Sequence, residues 1–95
     1  MNSEGDSLFR LMVEHVFYII PIDRVVVVGT VSSGNVKPGD KLIVRSGYTD
    51  IPVTVERLDH PTRKMESAAT GDQVGLLLVG IRKDQVHSGN LVLRL

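Results

Sequence analysis

The sequence predicts an all-β fold of about six strands, arranged as a sandwich or a barrel. Apolar residues recur with a period near two, and helical periodicity is nearly absent. β-Branched residues dominate the apolar segments, which favours pleated strands over helices. Turn signals separate these segments at the short intervals typical of sandwiches and barrels. The chain has 95 residues, enough for one domain with one modest core.

The element boundaries follow from the alternation of apolar residues and from the turn residues between the segments. Strands are expected at residues 8–20, 24–31, 41–45, 51–56, 73–79 and 91–93. Loops are expected at residues 59–70 and, with room for one helical turn, at residues 81–86. Leu58 is out of step with the strand before it, which indicates a β-bulge near Glu56 and Arg57. Residues 73–79 are apolar on both faces, which predicts a central strand.

Glycine and aspartate residues at the strand ends are expected to have an architectural role. In the turn at residues 36–40, Pro38 fixes φ at the first central position, and Gly39 supplies the positive φ that a type II turn needs at the second. Asp40 and Asp72 each follow a glycine, where a carboxylate can accept N–H groups of the turn. The other turn glycines are Gly34, Gly71, Gly80 and Gly89.

Charge and composition narrow the classes of function. Eleven basic and eleven acidic residues cancel, so the basic excess of proteins that track long nucleic acids is absent, and no DNA partner is expected. No apolar run approaches the roughly 20 residues that span a bilayer, and residues 1–7 are polar and acidic, unlike a signal peptide. We expect a flexible segment at residues 1–7 and one soluble, cytoplasmic domain at residues 8–95, without membrane contact.

The residue patterns predict no catalytic, metal or cofactor site. The chain has no cysteine, which excludes thiolate chemistry. It also has no G-x-x-x-x-G-K-[ST] phosphate loop that could hold a nucleoside triphosphate. His15, His60 and His87 are far apart in the sequence, and none has a second potential metal ligand at the spacing that metal sites use. A binding module is therefore expected rather than an enzyme.

Five segments, in order, carry a resemblance to a known family. They are 9–17 (FRLMVEHVF), 28–34 (VGTVSSG), 36–40 (VKPGD), 71–81 (GDQVGLLLVGI) and 86–91 (VHSGNL). In these segments the chain resembles the second domain of elongation factor Tu and of related translational GTPases. The resemblance implies a closed, mainly antiparallel barrel of six or seven strands. It also implies a non-catalytic module that acts in translation, either as part of a GTPase or alone.

The resemblance implies a binding site as well. In elongation factor Tu, the second domain helps to hold the aminoacylated 3′ end of tRNA, with the terminal adenine in a small apolar pocket. The matching residues here are Phe17, Ile19, Gly29 and Leu77, with either Glu56 or Asp59 as an acidic neighbour. Stacking, apolar enclosure and edge hydrogen bonds can recognise an unpaired base without a basic stripe. The implied partner is an aminoacyl-tRNA end or the ribosome.

An apolar run departs from the family pattern. The polar, glycine-rich turn after the first strand is replaced by the bulkier segment 20–24 (IPIDR). Tyr18, Ile20 and Ile22 are candidates for a protein interface, because only one strand face can line the barrel. The simplest partner is a second copy, which would pair first strands or pack turn against turn. Alternatively, the loop at residues 59–70 covers this surface. Protein–protein interaction is thus the alternative to RNA binding.

Overall fold

The computed structural model describes residues 8–94 of the chain. These residues include eight strands and two short 3₁₀ turns, joined by loops. The strands are β1 (Arg10–Ile19), β2 (Arg24–Ser33), β3 (Asn35–Val36), β4 (Lys41–Ser46), β5 (Thr49–Asp59), β6 (Ala68–Ala69), β7 (Gln73–Val79) and β8 (Leu91–Leu93). The 3₁₀ turns span Ile20–Ile22 and Lys83–Gln85. The segment 1–7, predicted to be flexible, lies outside the described residues.

Six of the strands close into a barrel in the order β1-β2-β7-β5-β4-β8. Every neighbouring pair, including the closing pair of β1 and β8, is antiparallel. The predicted closed antiparallel barrel is therefore confirmed, with six strands. The remaining two, β3 and β6, pair with each other in a separate small sheet. At the closing seam, the backbone N–H of Arg94 donates to the carbonyl of Phe9 over 3.1 Å, so the two ends of the described chain meet there.

Valine and leucine side chains fill the barrel, as the low aromatic content requires. Leu76 and Leu78 of β7 belong to the interior cluster and are fully buried. Leu77, between them in the chain, is also fully buried although it lies on the opposite face of the strand. The prediction that residues 73–79 form a central strand is confirmed, since β7 pairs with β2 and β5 and is buried on both faces from Val74 to Leu78.

Two β-bulges set which side chains of β1 and β5 face outwards. The predicted bulge in β5 is confirmed by a register shift between Val55 and Arg57. A second shift, in β1 between Val13 and His15, was not predicted. Because of it, Val13 before the bulge and Val16 after it both contact the core. This phase change places His15, Phe17 and Ile19 on the outer face.

The turns have the geometry that the glycines and aspartates predict. Gly39 has a φ of +94°, and the N–H of Asp40 donates to the carbonyl of Lys37 over 3.2 Å, as expected for the type II turn. The Asp40 carboxylate accepts the Lys37 N–H, and the Asp72 carboxylate accepts the Ala69 N–H. Positive φ angles also occur at Gly34, Gly71, Gly80 and Gly89. Their predicted architectural role is confirmed.

The edge of β1 that faces away from β2 is occupied along the first half of the strand. β8 pairs with residues 10–12. Beyond it, Val13 exchanges backbone hydrogen bonds with Gly89 and Asn90, at 2.7 and 2.9 Å. The Ser88 hydroxyl then donates to the carbonyl of Glu14 over 2.9 Å. Pairing with a second copy of the chain along this edge is therefore blocked at residues 10–14, the first half of β1.

Candidate functional site

An apolar groove of about 450 Å³ lies on the outer face of the barrel. Phe17 and Ile19 of β1 form one wall. The opposite wall is the end of β5 and the start of the following loop, residues 59–61. Between them lie residues of β2 and β7, namely Val26, Val28, Gln73, Val74 and Gly75. The volume is within the range of small-molecule sites, roughly 300–1,000 Å³.

Strand register explains why the groove lies here. Val28 of β2 pairs with Gly75 of β7, and Gly75 pairs with Asp59 of β5. Gly75 has no side chain to fill the space between the walls. A Cβ atom at this position would lie 3.2 Å from Cγ1 of Val26. The depth of the groove therefore depends on a glycine in the middle of a strand.

Polar groups lie along the loop side of the groove. The Asp59 carboxylate accepts a hydrogen bond from Nε of Arg57 over 3.2 Å and keeps oxygen lone pairs for another donor. Nδ1 of His60 accepts the backbone N–H of Thr62 over 3.2 Å. The neutral imidazole then carries its proton on Nε2, which can donate to a ligand. An apolar cleft with one acceptor and one donor at its rim is suited to a flat heteroaromatic ring.

The structure brings together some of the predicted pocket residues but not all. Phe17, Ile19 and Asp59 line the groove. Glu56, the other acidic candidate, instead forms an ion pair of 2.9 Å with Arg24. Of the two acidic candidates, Asp59 is the one at the groove.

The other two predicted pocket residues do not line the groove. Leu77 is fully buried beside Val26, its partner on β2. Gly29 is also buried, and a Cβ atom there would overlap the carbonyl oxygen of Met12. These two residues support the barrel wall near the groove.

Sequence reasoning missed the floor and the loop side of the groove. Val28, Gly75, His60 and Pro61 all line it. A signal was available for Gly75, since an isolated glycine within an apolar strand often marks a close approach of another group or a depression in the surface. His60 and Pro61 had no comparable signal, because a loop residue's neighbours depend on strand register.

The apolar turn after β1 is a separate surface. Ile20 and Ile22 are 76% and 45% exposed, so the loop after β5 does not cover them. Tyr18 differs, because it packs against the core, its hydroxyl donates to Asp23 over 2.5 Å, and its ring lies under Lys83. Of the three candidate interface residues, the two isoleucines form the exposed part.

Residues 8–94 include no helix with the length and hydropathy needed to cross a membrane. Over the same residues, no three His, Asp or Glu side chains are grouped so that they could hold a metal ion.

The chain is similar to known proteins both in sequence and in structure. The sequence model of the family described as Elongation factor Tu domain 2 matches residues 24–93, which is most of the chain and begins at β2. Among solved structures, the chain is similar to translation elongation factor SelB from Methanococcus maripaludis in its apo form, with a TM-score of 0.80 and 28% sequence identity. That match covers 92% of this chain and 19% of the SelB chain, so the chain spans about a fifth of the relative's length.

Proposed function

Because the chain belongs to the elongation factor Tu domain 2 family, we propose that it binds the aminoacylated 3′ end of tRNA in the groove beside Phe17. The barrel is a translation-factor module, and in this family that module is the non-catalytic part of translational GTPases. To this family assignment the proposal adds the ligand, which is the terminal base of the RNA, and its position in the groove. The terminal base lies between the apolar wall of β1 and the loop after β5.

The observation that carries the proposal is the shape and chemistry of this groove. Its walls offer an aromatic ring at Phe17 and an aliphatic side chain at Ile19. Base–aromatic stacking contributes about 1–3 kcal/mol per base and needs no positive charge. A chain with a formal net charge of zero can therefore hold an unpaired base in this way.

The polar rim supports a base with an exocyclic amino group beside a ring nitrogen, as in adenine or cytosine. The Asp59 carboxylate can accept a hydrogen bond from an exocyclic amino group, and the imidazole Nε2–H of His60 can donate to a ring nitrogen. Both residues line the groove. Guanine and uracil present a carbonyl oxygen where adenine presents its amino group, so they would meet the carboxylate unfavourably.

A titration with an aminoacylated acceptor-stem RNA tests the proposal. We expect binding to the 95-residue chain that weakens when the terminal adenosine is removed. Phe17→Ala should weaken binding about 5- to 150-fold, the loss that corresponds to one stacking contact of about 1–3 kcal/mol. Met12→Ala is the matched control, because both side chains lie on β1 and are 56% exposed, but Met12 does not line the groove. Equal affinity of the two variants for the RNA would contradict the proposal.

A second candidate function, homodimerisation, rests on the exposed turn. Leaving an isoleucine exposed forgoes on the order of 1.5–3 kcal/mol of burial, and Ile20 and Ile22 lie close together in one 3₁₀ turn. The zero net charge leaves little repulsion between copies. Since the exposed isoleucines lie in the turn and the first half of the β1 edge is occupied, the contact would pack turn against turn around a two-fold axis.

A further inference from the structure

A second depression lies on the other side of Phe17 from the apolar groove. It is lined by residues of β1 and of the connection that precedes β8, namely His15, Val16, Phe17, Tyr18, Lys83, Val86, His87 and Ser88. Phe17 lines both depressions and forms the ridge between them. One depression is mainly apolar, whereas the other has one ammonium group and two imidazole rings that can donate hydrogen bonds to an anion.

We propose that this second depression binds the phosphodiester that precedes the base held in the apolar groove. The inference rests on the proposed function and adds the path of the RNA strand. A strand that crosses the Phe17 ridge would place its terminal base on one side and the preceding phosphate on the other. The residues assigned to the phosphate are Lys83, His15 and His87.

Lys83 is the central cation of this site. Its Nζ lies 4.6 Å from the centre of the Tyr18 ring. Among the described residues no carboxylate lies within 4 Å of it, so the ammonium has no ion-pair partner there. A cation–π contact of this kind orients the ammonium and leaves its N–H donors for an anion.

The carboxylates nearest in sequence to this site are engaged by other groups. Glu14 accepts hydrogen bonds from Thr30 and Gln73, at 3.4 and 3.2 Å. Asp84 pairs with Arg82 at 3.1 Å, and Asp23 accepts the Tyr18 hydroxyl. An incoming phosphate would therefore compete with none of these carboxylates for Lys83. The donors to Glu14 and Asp23 are neutral groups and leave those carboxylates charged, so the phosphate would be held by the ammonium of Lys83 itself and not by a net cationic surface.

Three small probes separate the base from the phosphate. They are adenosine, a dinucleoside monophosphate ending in adenosine, and the uncharged methylphosphonate analogue of that dinucleotide. In NMR titrations we expect the dinucleotide to bind several-fold more tightly than its analogue. We also expect the slope of log affinity against log salt to be about 0.7 steeper for the dinucleotide, as for one phosphate of a single strand.

Substitutions at two lysines assign the effect, with the same loss of one positive charge in Lys83→Gln and in its control. Lys83→Gln should remove most of the difference between the dinucleotide and its analogue and leave adenosine affinity unchanged, whereas Lys83→Arg should preserve the difference. Lys41→Gln is the matched control, because Lys41 is an exposed residue of β4 that lines neither depression. If Lys83→Gln behaves like Lys41→Gln, the inference is wrong while the proposed function stands.

Two further outcomes are decisive. If inorganic phosphate alone binds as tightly as the dinucleotide, the site is an independent anion site and the assigned strand path is wrong. If adenosine and the dinucleotide both fail to bind the unaltered chain, the proposed function fails and this inference fails with it.

Discussion

A Cβ atom on Gly75 would lie 3.5 Å from the Cβ of Asp59, its register partner across β7 and β5. This pair joins the floor of the apolar groove to its acidic rim. A side chain at position 75 must therefore enter the groove beside Asp59. The ligand affinity of variants at position 75 then tests whether the ligand binds in this groove.

Gly75→Val should weaken the binding of adenosine and of the aminoacylated RNA at least tenfold, because the isopropyl group fills the floor of the groove. The backbone at this position is extended, and valine favours strands, so the barrel should still fold. The measurement is an NMR titration together with a circular dichroism spectrum. A folded Gly75→Val variant with unchanged affinity would exclude this groove as the binding site.

Gly29→Ala should destabilise the barrel much more than Gly75→Ala. At Gly29 the new methyl group would overlap the carbonyl oxygen of Met12 and lie 2.8 Å from Leu11 Cδ2, which neither strand can relieve without moving. Overpacking of this kind costs about 1–3 kcal/mol or more. At Gly75 the closest contact is a single valine methyl at 3.2 Å. Urea unfolding compares the two variants, and equal midpoints would show that our register for β1 and β2 is wrong.

Leu76→Ala and Leu78→Ala should each lower the free energy of unfolding by about 2–5 kcal/mol, because both side chains are fully buried in the barrel. A loss of that size is a large part of the stability of a small domain. Val79→Ala is the control on the same strand, since Val79 is 37% exposed and should lose less than about 1 kcal/mol. Chemical denaturation measures all three. Wild-type stability in both leucine variants would contradict the position of β7.

Asp40→Asn should lower stability near pH 7 by about 1–3 kcal/mol, as for lost charge-assisted hydrogen bonds. Burial raises the pKa of Asp40, but hydrogen bonds from Lys37 and the charges of Arg94 and Lys37 lower it by more, so its net pKa is depressed. The carboxylate therefore stabilises the fold fully above its unfolded pKa of about 3.9, and this contribution is lost as the pH falls through the folded pKa.

Urea unfolding of wild type and Asp40→Asn across pH 2 to 7 checks this dependence. The difference in free energy should be constant down to about pH 4 and shrink below it. Asp84→Asn is the control, because the Asp84 carboxylate is 69% exposed and its substitution should change little at any pH. A difference between wild type and Asp40→Asn that stays constant to pH 2 would refute the role of the ionised carboxylate.

Ile20→Asp combined with Ile22→Asp should convert a homodimer to monomer, because carboxylates at the turn would face each other across the two-fold contact. Sedimentation at several concentrations measures the change. Tyr48→Asp is the control, since Tyr48 is a fully exposed apolar side chain in a different hairpin. A wild-type chain that stays monomeric at high concentration would remove homodimerisation as a function.

Much of the fold could be predicted because the barrel strands follow simple alternation. β7 has the predicted bounds at both ends, and the misplaced Leu58 located the bulge in β5. The bulge in β1 could not be located in the same way. Its later residues, 16–19, are apolar on both faces, so the phase change at Glu14 leaves no mark in the sequence.

The candidate site could be predicted only in part, since it is made of residues that register alone brings together. Phe17 and Asp59 are 42 positions apart and meet across the outer faces of β2 and β7. Composition and spacing cannot give that arrangement. The resemblance to translation factors supplied three residues of the groove, and the isolated glycine in an apolar strand was a signal for Gly75. Only the structure could place His60 beside them.

The hydrogen bond between Arg94 and Phe9 has a consequence for how the barrel can be connected. Both ends of the described chain lie at the seam of β1 and β8. This seam is distant from the apolar groove, because Ile19, which lines the groove at the far end of β1, is roughly 30 Å from Phe9 by strand rise. A short linker between the ends would make the chain a ring in which all six ladders remain. Opening that ring within the exposed residues 61–64 gives a circular permutant in which both new termini lie next to the loop side of the groove.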